Sequence, residues 1–213
     1  MTQITTYHSS TVTLPKLLVA TSNVKKGGEM AHILREAALD VDLVTLADFA
    51  PMPPVEETGE TFIANAHLKA NAALAQTGVM SIADDGGLVI DALNGLPGVK
   101  SHRFLGEETP FEVKMAHILE MMRDVPEAQR TCRFQCAVVI ATPQGASYEC
   151  MGICEGRIAH EQCGAYGFGY DPIVYLPELG RHMAELPPEQ KHRISHRGKA
   201  LAQAVVYLRE MLA

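Results

Sequence analysis

The sequence lacks any apolar run approaching the ~20 residues that a membrane-spanning helix needs, and its first cation, Lys16, comes too late to head a secretory signal. It lacks an excess of positive charge as well: 18 Lys and Arg stand against 25 Asp and Glu, a formal net charge of −7. No basic field exists to hold nucleic acid or an anionic membrane, so an anionic ligand must be met by a local pocket. There is no internal repeat and no linker long enough to separate two domains. The cysteines, Cys132, Cys136, Cys150, Cys154 and Cys163, are odd in number in a chain with no export signal, which argues against a disulfide framework. These absences predict a cytoplasmic protein. It is read as one α/β domain over residues 15–213, preceded by a Thr- and Ser-rich extension over residues 1–14 that has no helical period.

What is present supports a globular core. Hydrophobic residues make up 47% of the 213 and charged residues 20%, enough to bury one domain. Lys16 to Ala20 is a short apolar run ending at polar Thr21, Ser22 and Asn23, as a buried strand entering a loop would read. Met30, Ile33, Leu34 and Ala37 recur at helical spacing and predict a helix from about Glu29, with Gly27 and Gly28 left in a flexible loop before it. Val41 to Leu46 predicts a second strand. Phe62, Ala66, Ala70 and Ala73 mark the next helix, with Asn65 and Lys69 sharing a neighbouring face.

Ser81 to Asp85 and Leu88 to Ala92 read as two strand pieces around an acidic turn at Asp84-Asp-Gly-Gly87. Thr109 as N-cap with Pro110 behind it predicts a helix that buries Phe111, Met115, Ile118, Leu119 and Met122. Thr131 to Ala141 and Ala146 to Cys154 read as paired strands, Ile173 to Tyr175 as another, and Ser195 caps a final helix. A three-residue hairpin loop at Thr142 to Gln144 would set Cys136 opposite Cys150 and Cys132 opposite Cys154. Residues four apart on a strand lie roughly 13 Å from each other, so these thiols cannot converge on one metal and read as small buried side chains. Alternating strands and helices with one hairpin predict a mixed sheet.

Polar, glycine-containing segments sit at the ends of these elements, where α/β scaffolds place their sites. Thr21, Ser22, Asn23, Val24, Lys25 and Lys26 offer hydroxyls, an amide, backbone N–H groups at a helix start and two ammonium groups. That is the chemistry of a phosphate cradle, but without P-loop spacing it also fits a solvated strand-helix turn. Glu56, Glu57, Asp84 and Asp85 are acids that a divalent cation such as Mg2+ would reconcile; helix-start charge and turn chemistry explain them as well. Gly167 to Pro172 presents an aromatic between glycines, and Lys191 to Gly198 brings cations and histidines, a combination able to stack on a nucleobase and hydrogen-bond it.

Taken in order, Thr21 to Lys26, Glu56 to Asn65 with Lys69, Ala83 to Leu88, Gly95 to Gly98, Gly167 to Pro172 and Ser195 to Gly198 resemble the inosine triphosphate pyrophosphatases, the non-standard purine nucleoside triphosphate pyrophosphatases. The resemblance runs from about Leu17 to the C-terminus. It implies an elongated mixed β-sheet flanked by helices, two lobes with a central cleft, a homodimer, and Mg2+-dependent hydrolysis of ITP, dITP or XTP to the monophosphate and pyrophosphate. By that resemblance Thr21 to Lys26 hold the phosphates, Glu56 and Asp85 bind Mg2+, Asp85 accepts a proton from the attacking water, and Lys69 neutralises phosphate. Phe168 would stack on the base, with Gly169, Tyr170, Asp171, Lys191, His196 and Arg197 lining its pocket. Gly86 departs from the serine usual beside the paired aspartates, in a position that would touch substrate. A sensor that binds the nucleotide without turning it over, or a pyrophosphatase for other modified nucleotides, is the alternative reading.

Overall fold

The computed structural model describes residues 14–213, so the extension expected over residues 1–14 lies, but for Leu14, outside the described residues. In chain order the regular elements are β1 (Lys16–Val19), α1 (Val24–Glu36), β2 (Asp42–Thr45), α2 (Phe62–Thr77), β3 (Met80–Ile90), α3 (Phe111–Met121), β4 (Thr131–Ala141), β5 (Ser147–Ile158), β6 (Val174–Leu176), β7 (Arg181–His182), α4 (Pro188–Ile194) and α5 (His196–Leu212). All the strands join one seven-stranded sheet in the order β2-β1-β3-β4-β5-β6-β7. β1 is parallel to both β2 and β3, and the pairs from β3 onward are antiparallel, so the mixed sheet flanked by helices is as expected. At ~3.4 Å per residue the 11- and 12-residue strands β3, β4 and β5 form a long central ribbon.

Three departures from the expected elements have a local cause. Helix α1 starts at Val24 rather than near Glu29, because Asn23 is its N-cap and accepts from the Lys26 N–H at 3.0 Å. Such a cap contributes about 1 kcal/mol and offsets much of the cost of Gly27 and Gly28 inside the helix. Strand β3 runs unbroken through the Asp-Asp-Gly-Gly segment, with Ser81 to Ile90 paired residue by residue to Ala141 to Cys132. Its glycines are there for room rather than for a turn: a Cβ on Gly86 would stand 2.5 Å from the Gln135 carbonyl oxygen, and one on Gly87 2.2 Å from Ser101 Oγ. At α3 the cap position is Pro110 with no side-chain cap, while Thr109 Oγ1 donates to the Leu105 carbonyl instead.

The β4-β5 hairpin is likewise longer than expected. Thr142 N–H donates to the Ala146 carbonyl, Ala141 pairs with Ser147, and the register places Cys136 opposite Gly152 and Cys132 opposite Gly156. A two-residue shift preserves the face, so Cys132, Cys136, Cys150 and Cys154 are still buried, free thiols. Burial pushes the Cys132 and Cys136 thiols far up and that of Cys150 up to about 11.

The apolar interior gathers at two ends of β3. Ile82 joins a cluster with Leu17, Met30, Leu34, Val138, Leu201 and Leu208, and Ala83 joins the α2 face of Phe62, Ala66 and Ala70. Leu88 and Ile90 enter a separate cluster with Met115, Ile118, Met122, Ile173 and Met183, which puts Met115 and Met122 in the core as expected. Residues 84–87 lie between, where the strand changes from apolar to acidic.

Candidate active site

Asp84 and Asp85 are neighbours on β3, so their side chains leave opposite faces of the sheet, Asp84 toward Arg197 and Asp85 toward Lys69, with Lys26 shared between them. Asp84 is fully buried. Its Oδ2 accepts from Arg197 Nε at 3.0 Å and Nη2 at 2.9 Å, and Lys26 Nζ lies 3.8 Å away. Burial opposes its charge, yet Lys26 and Arg197 hold its carboxyl well below the usual carboxylate range. Asp85 accepts from Asn65 Nδ2 at 3.0 Å and from Lys69 Nζ at 3.4 Å, with Lys26 3.9 Å from the same oxygen as Lys69. Here burial prevails: the Asp85 carboxyl is pushed above its ordinary value despite Lys69 and Lys26. Lys26 alone reaches both carboxylates, so the expected repulsion between them is met by separation across the sheet as well as by cations.

Helix α2 delivers Asn65 and Lys69 together. The four-residue spacing stacks them on one face, and Thr61 fixes the start of the helix by accepting from the Ala64 N–H. Asn65 Oδ1 accepts from the Gly59 N–H at 2.7 Å, which ties the acidic loop before α2 to Asp85. In that loop Glu57, not Glu56, faces the cluster. Glu57 Oε1 accepts from Lys69 at 2.8 Å, whereas the Glu56 side chain is exposed. Burial opposes Glu57's charge, but Lys69 holds its carboxyl below the ordinary value.

The residues expected to line a base pocket form a chain of ion pairs around Glu29. Glu29 Oε1 accepts from Lys191 at 2.9 Å and Oε2 from Arg197 Nη1 at 2.6 Å, and Lys191 also donates to Asp171 Oδ2 at 2.7 Å. Phe168 lies under both cations, 4.6 Å from Lys191 Nζ and 5.7 Å from the Arg197 guanidinium carbon at the ring centroid. Asp171 accepts from the Phe168 N–H at 2.9 Å, and a side chain at Gly167 would collide with that carboxylate. Gly169, like Gly167, has positive φ, so the backbone around the ring needs both glycines.

Several expected pocket residues occupy other places. Tyr170 is buried against Phe111, and its hydroxyl donates to the Ser101 carbonyl at 2.9 Å, so it supports the loop from behind. His196 stacks on Phe134 at 4.8 Å, and burial keeps its imidazole neutral. In the phosphate segment Thr21 Oγ1 accepts from the Asn23 N–H, Lys26 turns inward, and Ser22, Val24 and Lys25 are exposed. Gly86 adjoins Asp85 and leaves space that the Gln135 carbonyl uses. Glu29 was not singled out by the sequence; its signal was a lone carboxylate within the first turns of a helix that opens with two lysines.

A family model described as the Ham1 family matches residues 17–207. The chain belongs to the Ham1 family. A dITP/XTP pyrophosphatase from Desulforamulus reducens is 44% identical over 196 residues, covering 92% of this chain and 96% of that one. One of the same name from Geobacillus kaustophilus is 45% identical over 190 residues, with coverages of 89% and 92%. Among solved structures, a HAM1 protein from Coxiella burnetii is 39% identical with a TM-score of 0.84, covering 92% of this chain and 100% of that chain. The Staphylococcus aureus Ham1 protein is 35% identical with a TM-score of 0.82, covering 92% and 99%.

In this Ham1 chain the Asp85 and Glu57 carboxylates, both in contact with Lys69, offer the oxygen donors that a hard divalent cation takes.

Proposed function

We propose that this Ham1-family chain hydrolyses non-standard purine nucleoside triphosphates, dITP, XTP and ITP, to the nucleoside monophosphate and pyrophosphate, and so clears them from the nucleotide pool. The observation that carries this reading is the position of Asp84 and Asp85 between two sets of cations: Lys26 and Lys69 on the phosphate side, and Arg197 and Lys191 over the Phe168 ring. A triphosphate and an aromatic base would be gripped at once.

The first turn of α1 and Lys26 receive phosphate oxygens, since unpaired N–H groups and an ammonium favour anions there. Lys69 adds a second positive charge beside Asp85. With its proton affinity raised by burial, Asp85 is a better base than an ordinary carboxylate, and it takes a proton from water as the water oxygen bonds to phosphorus and the bond to the pyrophosphate leaving group breaks. Mg2+, held by Asp85 with Glu57 or Glu56, would neutralise charge on the phosphates when bound. Phe168 stacks on the base, and donors from Arg197 and Lys191 meet a 6-oxo group. Adenine would turn an amino group toward them, and a buried donor left unpaired costs ~1–3 kcal/mol. The reading includes a cytoplasmic homodimer that engages neither nucleic acid nor membrane. The net charge of −7 supports the lack of a nucleic-acid partner, no helix among the described residues is long and apolar enough to cross a membrane, and the homodimer and the compartment rest on the family resemblance.

The purified protein should release equimolar pyrophosphate and monophosphate from ITP far faster than from ATP in the presence of Mg2+. Asp85→Asn should lower that rate by about 10²–10⁴-fold with its circular dichroism unchanged. Equal turnover of ATP would remove the base-selective role, and an undiminished Asp85→Asn would remove the proton acceptor. Light scattering tests the dimer, and a monomer would overturn that part.

A further inference from the structure

Outside this site, the described residues contain a convergence of metal-ligating side chains at the far end of the sheet. Cys163, His182 and Glu185 each offer one ligand atom, and these atoms lie within 4.8 Å of one another. The backbone holds them there. Cys163 N–H donates to the Pro172 carbonyl at 3.0 Å, and His182 Nδ1 lies 2.7 Å from the same oxygen. A carbonyl oxygen only accepts, so Nδ1 carries the proton and Nε2 keeps the lone pair. Glu185 Oε2 accepts from the His182 N–H at 2.7 Å, leaving its other oxygen unused by that bond. Gly164, with φ +93°, packs so tightly on Ala184 that a Cβ would meet its carbonyl, and Tyr166 N–H donates to the Ala184 oxygen at 2.8 Å. The loop bearing Cys163 is thus fastened to the turn bearing Glu185 independently of the three side chains.

We propose that Cys163, His182 and Glu185 bind a borderline-soft divalent cation of the Zn2+ class. A tetrahedral zinc with ligands at about 2.0–2.3 Å holds them about 3.3–3.7 Å apart, so contraction by about an ångström closes the set. In the proposed site Nε2 is the ligating nitrogen, and the Pro172 carbonyl on Nδ1 is the outer partner that fixes its tautomer. Sulfur and nitrogen separate this set from the oxygen donors at Asp85, and Mg2+ prefers the latter. On binding, the Cys163 thiol gives its proton to solvent as the sulfur–metal bond forms. Three protein ligands leave a further position for water or an anion, and His182 also lines a cavity of about 270 Å³ with His160 and Tyr175. The loop continues from Cys163 to Phe168, so a bound ion would restrain the segment that carries the ring.

Chelator-treated full-length protein should take up Co2+ with a thiolate charge-transfer absorption that Zn2+ removes and excess Mg2+ does not. Cys163 is the exposed cysteine, the other four being buried, so Cys163→Ser should fold normally, lose that absorption and weaken Zn2+ binding in calorimetry by at least about tenfold. His182→Gln should weaken it similarly. A Co2+ spectrum without the thiolate band, or Zn2+ affinity unchanged in Cys163→Ser, would overturn the site.

Discussion

Arg197 converges on a single oxygen of Asp84, while the second oxygen, Oδ1, is buried without a hydrogen-bond partner. Glu29 completes the charge around that guanidinium and also meets Lys191. Glu29→Gln keeps the shape but removes the charge, and should cost about 1–3 kcal/mol of stability in urea unfolding. As a positioning residue, it should also raise the KM for ITP more than it lowers kcat, because it orients the cations over Phe168. At Gly86 the collision is with backbone, so Gly86→Ser, although it supplies the hydroxyl that the family resemblance leads one to expect, should destabilise by about 1–3 kcal/mol; an unchanged urea midpoint would show that the strand yields without strain. The Thr21–Lys26 and Gly167–Pro172 segments were legible as polar, glycine-containing runs beside regular elements, and the acidic pair, which lies inside β3, was legible because adjacent buried carboxylates demand cations. The choice of Glu57 over Glu56, the inward turn of Lys26 rather than Lys25, and the packing of His196 on Phe134 were not. They depend on which face a helix or loop presents to a strand far away in sequence.

Elements with an unmixed pattern were legible to the residue. Thr131–Ala141 alternates over its first half and runs apolar and buried from Cys136 on, and Ser195 caps α5 as its position before an apolar stripe required. β3 and α1 depart from the expected elements for one common reason: glycine signals a turn when read locally, whereas here each pair sits within a regular element. Gly152 shows how strict such a demand can be. On β5 it faces α5, where a Cβ would stand 1.9 Å from the His196 carbonyl oxygen and 2.6 Å from the Ala200 nitrogen. Gly152→Ala must push the helix away from the sheet, so it should lose at least about 2 kcal/mol and release Arg197 from Asp84. Both losses are readable together, from urea unfolding and from ITP turnover.

At the level of the molecule, buried titratable groups set how acid undoes the fold. His196 has its proton affinity pushed well below the ordinary histidine value by burial, with Arg197 and Lys191 adding to the effect. As pH falls, the unfolded chain therefore takes that proton first, and this contribution is intact above about 6.5 and is lost progressively below it. Asp84 has the opposite charge but the same direction: held low in the fold, it favours the folded state at neutral pH, and that advantage fades below about pH 4. His196→Phe, which can still stack on Phe134, should abolish about 1 kcal/mol of the stability difference between pH 7 and pH 5.5. Equal pH slopes in the two proteins would mean that the imidazole is not the group responsible.

The pairing of Asp84 with Arg197 spans 113 residues and that of Glu29 with Lys191 spans 162. On a ribosome adding about 5–20 residues per second, the acidic strand exists for several seconds or more before its guanidinium partner has been made. Through most of that interval Lys26 and Lys69 are present and Lys191 and Arg197 are absent. On the proposed roles, an unfinished chain therefore lacks the donors that would meet a purine's 6-oxo group, and the capacity to act on nucleotides arrives together with the capacity to choose among them.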